Sequence, residues 1–127
     1  MAPHAGWPWS LMIDGVPTGH FGWEDVDQAL RELQEDPNSF LVLEQKDPAD
    51  PKNHYWYIQC AVDTKGPSAG YCTVGCGFSG PDGRKESRKY YERQLSWVGD
   101  VIPLFRTVWQ GGALDLSQFT DRADFLF

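Results

Sequence analysis

Three cysteines, Cys60, Cys72 and Cys76, and three histidines, His4, His20 and His54, are the residues of this chain best suited to hold a metal or to act as a nucleophile with its base. Their spacing argues against both uses. Cys72 and Cys76 lie in "YCTVGCGF", whose composition reads as a strand, so their four-residue separation spans about 13 Å, too far to share one tetrahedral zinc ion or to form a disulfide. Cys60, on the preceding strand, is left able to lie opposite either one. A thiol nucleophile would need a histidine held beside it, and nothing in the sequence places His54, at the start of its strand, in that position. Aspartate and glutamate scatter over loops and helix ends without the pairing that acid–base chemistry requires. "GCGFSG" has no following lysine and leads into a turn, so it is no phosphate cradle. The expectation is no catalytic residue, no metal and no cofactor, with the cysteines as small buried thiols in a reducing compartment.

The elements around these residues follow from periodicity. Trp23, Val26, Leu30 and Leu33 form one apolar stripe at helical spacing over residues 23–36, with Glu24 and Asp25 at its positive end. "DPNS" ends it, because Pro37 disfavours helical backbone at Asp36. "FLVLEQ" is a strand, and "KDPADPKN" over 46–53 is an exposed hairpin loop. "HYWYIQCAV" alternates, with Tyr55, Tyr57, Gln59 and Ala61 on one face and Trp56, Ile58, Cys60 and Val62 on the other, the core face. In the next strand Cys72, Val74 and Cys76 share a face, while Gly75 and Gly77 suggest close approach by a helix or partner, or a bulge. "SGPDG" makes a turn. "SWVGDVIPLFRTVWQGG" is a second helix with Ser96 as cap, a stripe of Val98, Val101, Leu104 or Phe105, and Val108, and a stop at Gly111 or Gly112. Pro103 implies a start nearer Asp100 or a kink. The prediction is one α+β domain over 1–127, an antiparallel meander sheet of three or more strands with helices packed on one face, preceded by an arm over 1–21.

Composition limits the partners. With 127 residues, 41% hydrophobic, the chain can bury a core, and its net charge of −7 disfavours nucleic acid or an anionic membrane as the main partner. A basic protein fits better. The exception is residues 84–94, where Arg84, Lys85, Arg88, Lys89 and Arg93 outnumber Glu86 and Glu92. Such charge runs are ordinarily solvated surface, although Tyr90 and Tyr91 within this one could stack on bases. The amino terminus has no basic n-region or apolar run, and no stretch reaches ~18 apolar residues, so a cytoplasmic protein is expected.

Binding through surface then remains. Trp7, Trp9, Tyr90, Tyr91, Phe125 and Phe127 are of the types that anchor interfaces, and equally of the types that close a small core. Acidic residues, among them Asp47, Asp50, Asp63, Asp82, Asp115, Asp121 and Asp124, would steer a cationic partner, and equally are ordinary turn residues. Asp47, Asp50, Asp82, Tyr90, Asp115 and Asp121 are the expected partner-binding residues.

Over residues 22–121, "DVDQALRELQ", "FLVLEQ", "YWYIQCAV", "YCTVGCGF" with "PDG", "LSWVGDVIPLFRTVWQGG" and "LDLSQFTD" resemble a bacterial immunity-protein family found beside secreted polymorphic toxins, deaminase and nuclease toxins included. The arm and Pro103 depart from its pattern. The resemblance implies a cytoplasmic non-enzyme, an antitoxin that covers the active site of a cognate toxin, with loop 46–53, turn 80–83 and the acidic tail as its surface. Its rivals are a protein-interaction or regulatory domain of the cell and, further off, a thiol-dependent enzyme.

Overall fold

The computed structural model describes residues 3–33, 35, 39–64, 67 and 69–122. Nine elements follow in chain order: β1 (Trp9–Ile13), β2 (Val16–Thr18), α1 (Trp23–Leu33), β3 (Phe40–Lys46), β4 (Tyr55–Val62), β5 (Cys72–Phe78), β6 (Lys89–Leu95), α2 (Val98–Trp109) and β7 (Thr120–Asp121). The strands form one antiparallel sheet in the order β2-β1-β3-β4-β5-β6-β7, which makes this an α+β fold with a meander at its centre.

The middle of the sheet follows the predicted alternation. Trp56, Ile58, Cys60 and Val62 are buried, as are Leu41 and Leu43 of β3 and Cys72, Val74 and Cys76 of β5. Register brings Leu43 beside Ile58 and Ile58 beside Cys76, so apolar rows run across the strands. Val26, Ala29, Leu30 and Leu33 of α1 and Val98, Val101, Phe105 and Val108 of α2 join them in one core. At about 25 cal/mol per Å² of apolar surface removed from water, this layer dominates the stability of the fold.

Capping chemistry sets the helix ends. The Asp25 carboxylate accepts from the Gly22 N–H at 2.8 Å, which satisfies a donor at the start of α1. The predicted stop over Asp36, Pro37 and Asn38 lies outside the described residues; α1 itself ends at Leu33. The expected Ser96 cap of α2 is replaced by Trp97, which makes no side-chain hydrogen bond. The helix begins at Val98 and runs through Pro103, ahead of the start nearer Asp100 that is one of the two expected alternatives, and the earlier start buries Val98. Of the two candidates for the stripe, Phe105 is the buried one. Gly111, at φ 85°, ends the helix: its N–H bonds the Val108 carbonyl at 2.9 Å, and the Gly112 N–H bonds that of Thr107 at 2.8 Å.

Two segments differ from the sequence reading. The expected arm supplies β1 and β2, joined by a tight turn at Asp14 and Gly15, both at positive φ. Ahead of β1, the chain is fastened by the buried Gln45 side chain, which accepts from the His4 N–H at 2.9 Å and donates to the His4 and Trp7 carbonyls at 2.8 and 3.1 Å. Trp9 meets Trp56 edge-on and stacks with Trp109, and so closes the core. The second half of the basic run is likewise a strand, β6, in which Tyr91 stacks on Phe78, while Arg84, Lys85 and Arg88 lie in the connection before it. The sheet therefore ends at the three-residue β2, which contains Pro17, on one side and the two-residue β7 on the other. No described helix is long and apolar enough to cross a membrane.

Candidate functional site

Both helices cover one face of the sheet, and the other face carries the alternate residues of every strand. β4 places Tyr55, Tyr57, Gln59 and Ala61 there, β5 places Thr73, Gly75 and Gly77, and β6 places Tyr90, Glu92 and Gln94. The two glycines form a shallow trough. The Tyr90 ring lies across Gly75 and the Tyr57 ring across Gly77, so closely that a Cβ at either position would collide with the ring above it. The close approach expected at Gly75 and Gly77 is thus made by tyrosines of neighbouring strands, with neither a bulge nor a helix.

The rings continue as a ladder. Tyr55 and Tyr57 stack at 6.1 Å between centroids, Tyr57 and Tyr90 lie 6.4 Å apart, and the Arg88 guanidinium sits over Tyr55 at 5.9 Å. Gln59 Nε2 donates to the Tyr90 hydroxyl at 3.0 Å. Burial, then the charge of Glu92 and a hydrogen bond to it, push the Tyr90 phenol up to about 12. Burial first, then the neighbouring Tyr90, raises Tyr57 as well. Both rings are therefore held neutral on this face, Tyr90 as a buried floor.

Towards the end of the sheet that carries the β4–β5 connection, this face opens into a depression of about 560 Å³. Phe40 walls it, Tyr90 and Gln59 lie beneath it, and Asp63, Glu92 and Gln94 surround it. Asp63 is fixed in place: Thr73 Oγ1 donates to one of its oxygens at 3.1 Å and Gln94 Nε2 to the other at 2.8 Å. The same end of the sheet carries the exposed large apolar side chains Val16, Phe40, Tyr71 and Trp97.

The expected partner-binding aspartates stand elsewhere. Asp47 and Asp50 lie in the β3–β4 loop and Asp82 in the β5–β6 turn, at the opposite end of the sheet, where a second depression brings Asp47 and His54 beside Ser79 and Gly80. Each one braces its own loop. Asp47 accepts from the Ala49 N–H at 2.9 Å, Asp50 from the Asn53 amide at 3.2 Å, and Asp82 from the Arg84 N–H at 2.9 Å and from the Ser87 hydroxyl. The Ser87 bond, then that from Arg84, holds the Asp82 carboxyl below its usual range. Asp115 caps the turn at Leu116–Gln118, accepting from the Ser117 N–H at 3.0 Å, and Asp121 lies opposite Tyr91 in β7. Tyr90 alone of the six sits on the open face, as a floor, being 7% exposed. Asp124, Phe125 and Phe127 lie outside the described residues.

The thiols belong to the covered face, all three free and buried. Cys60 pairs in register with Val74, so it lies diagonal to both Cys72 and Cys76 rather than opposite either. A hydrogen bond to Cys72, then burial, pushes the Cys60 thiol up, and the same bond draws Cys72 down against its own burial. Burial raises Cys76 to about 12. His54 precedes β4 by one residue and lies four residues from Ile58, the partner of Cys76, or about 13 Å along the strand. Among the described residues no three His, Cys, Asp or Glu side chains gather as a metal site would require.

The sequence reading missed Glu92, Gln94 and Phe40 as parts of one surface, and took Asp63 as one among several acids that steer a cationic partner or simply make turns. A signal was present: "KYYERQL" alternates Tyr90, Glu92 and Gln94 against Tyr91, Arg93 and Leu95, a period-2 pattern hidden beneath the positive charge. No family model, no curated protein and no solved structure matches the chain.

Proposed function

We propose that the chain is an immunity protein: it binds a cognate secreted toxin, a deaminase or nuclease with a basic cleft, and neutralises it by covering the active site in the cytoplasm of the producing cell. The open sheet face carries this reading. A tyrosine ladder braced by glycines and glutamine is a rigid, amphipathic surface of the type that anchors interfaces, since it loses little side-chain entropy on binding. The chain's net charge of −7 adds attraction towards a basic nucleic-acid-binding cleft and speeds encounter. Burial and a raised thiol pKa at Cys60 and Cys76 make those two poor nucleophiles, which favours binding over chemistry at them.

The contact surface moves accordingly. The loop and turn acids Asp47, Asp50 and Asp82 contribute steering from a distance, while the tyrosine face and its depression make the contact. The test is to look for a large secreted protein encoded directly upstream of this gene and to co-express the two; the absence of such a gene counts against the reading. Restored growth, together with a stable complex of the two purified proteins in gel filtration, is the expected result. Toxicity undiminished, with the two proteins eluting separately, overturns the reading and favours a regulatory domain of the cell.

A further inference from the structure

The depression on the open face has a chemistry more specific than acidity. Asp63 and Glu92 are acceptors only, with about four lone-pair sites each. Thr73 and Gln94 occupy one site on each Asp63 oxygen, and Glu92 lies close enough to the Tyr90 hydroxyl for its charge to raise that phenol. Among the described residues, no lysine or arginine lines the depression. Glu92 and Gln94 also line a neighbouring depression towards β7 together with Arg93 and Arg122, and the Arg122 charge reaches Tyr90.

Resting on the binding role argued above, we propose that this depression seats one arginine side chain of a basic partner, its guanidinium reaching both the Asp63 and Glu92 carboxylates with Tyr90 beneath it. Glu92 and Gln94 are two residues apart on β6, about 7 Å, and Gln94 holds Asp63, so the two carboxylates are spread along the trough. An ammonium carries its three donors on one atom and bridges two carboxylates only when their oxygens are close together, whereas a guanidinium spreads its donors over three nitrogens. A planar fork of five donors reaches both, and it also lies favourably against a phenol ring. Phe40 and Ala61 provide the apolar wall that the methylene stem needs.

The probe is Nα-acetyl-arginine amide, titrated into the full chain and followed by the side-chain NH₂ resonances of Gln59 and Gln94. Saturable shifts are expected, with Nα-acetyl-lysine amide binding about 3-fold or more weakly and Glu92→Gln weakening the arginine probe about 10-fold, the scale of one lost charge-assisted bond. Asp63→Asn does the same provided its spectrum stays dispersed; Phe40→Ser, which leaves both carboxylates in place, weakens both probes together. Absence of saturation, equal binding of the two probes, or an unchanged arginine affinity in Glu92→Gln overturns the proposal. The two readings fail separately. Growth rescue unaffected by Glu92→Gln, with no probe binding, removes the arginine seat and leaves the immunity role; probe binding without rescue does the reverse.

Discussion

The covered and open faces of the sheet are built from the same strands, yet β4 gives one face Trp56, Ile58, Cys60 and Val62 and the other Tyr55, Tyr57, Gln59 and Ala61. Under the helices, side chains interlock in three dimensions and their order comes from packing. On the open face no second layer is present among the described residues, and order comes from rings laid over glycines and tied by hydrogen bonds. A covered face resists change because removed volume leaves a cavity. An open face resists change only as far as its few directional contacts hold, and it is therefore free to be reshaped towards a partner.

The strongest way to break this contrast is to damage each face and compare the losses. Phe105→Ala on the covered side should cost ~3–5 kcal/mol in urea unfolding, through lost transfer energy and a cavity that cannot collapse. On the open side, Gly75→Ala should cost about 1–3 kcal/mol, because the added methyl displaces the Tyr90 ring and frees its bond to Gln59. Tyr90→Ala in the Gly75→Ala background should recover part of that loss, a coupling visible in a double-mutant cycle. Losses of equal size on the two faces, or no coupling, would erase the distinction.

Alkaline titration sharpens the same comparison. With the Tyr90 phenol raised to about 12 from its usual 10.0, the folded state prefers the neutral ring. Its contribution is intact below pH 10 and is lost as pH rises from 10 towards 12. Tyr90→Phe should flatten that alkaline decline and, at neutral pH, cost only about 1 kcal/mol for the Gln59 bond. The smallest effect belongs to the loop end. Asp47→Asn, at an exposed loop, should change stability by no more than about 0.5 kcal/mol, and in the complex it should slow association at low salt while leaving the dissociation rate unchanged.

The central strands were legible because each has a buried face, so an apolar residue must recur at every second position. β4 needs no further information. The flanking strands are different. β1 is five residues long and follows Pro8, and its burial rests on Trp9, Leu11 and Ile13 meeting β3 and the end of α2, contacts that no local pattern announces. β6 carries Lys89 and Arg93 on the side that elsewhere faces the core, and the tolerance of that position near a sheet margin cannot be read from the residue type. The candidate site was half visible for the same reason. Tyr57 and Gln59 appeared on one face of β4, but Glu92 and Gln94 join them only once β6 is known to be paired with β5. The aspartates misled because a turn acid and a steering acid look alike until hydrogen bonds such as Ala49 to Asp47 are seen.

The margins of the sheet narrow how anything can join it. A three-residue strand bearing Pro17 at one side, and a two-residue strand at the other, offer too few free N–H and C=O groups to template an incoming chain. Lengthwise growth into fibrils is discouraged by the same blunting. Among the described residues, a visitor that recruits backbone pairing finds little edge to start from, which steers recognition to side chains meeting the broad flat of the molecule.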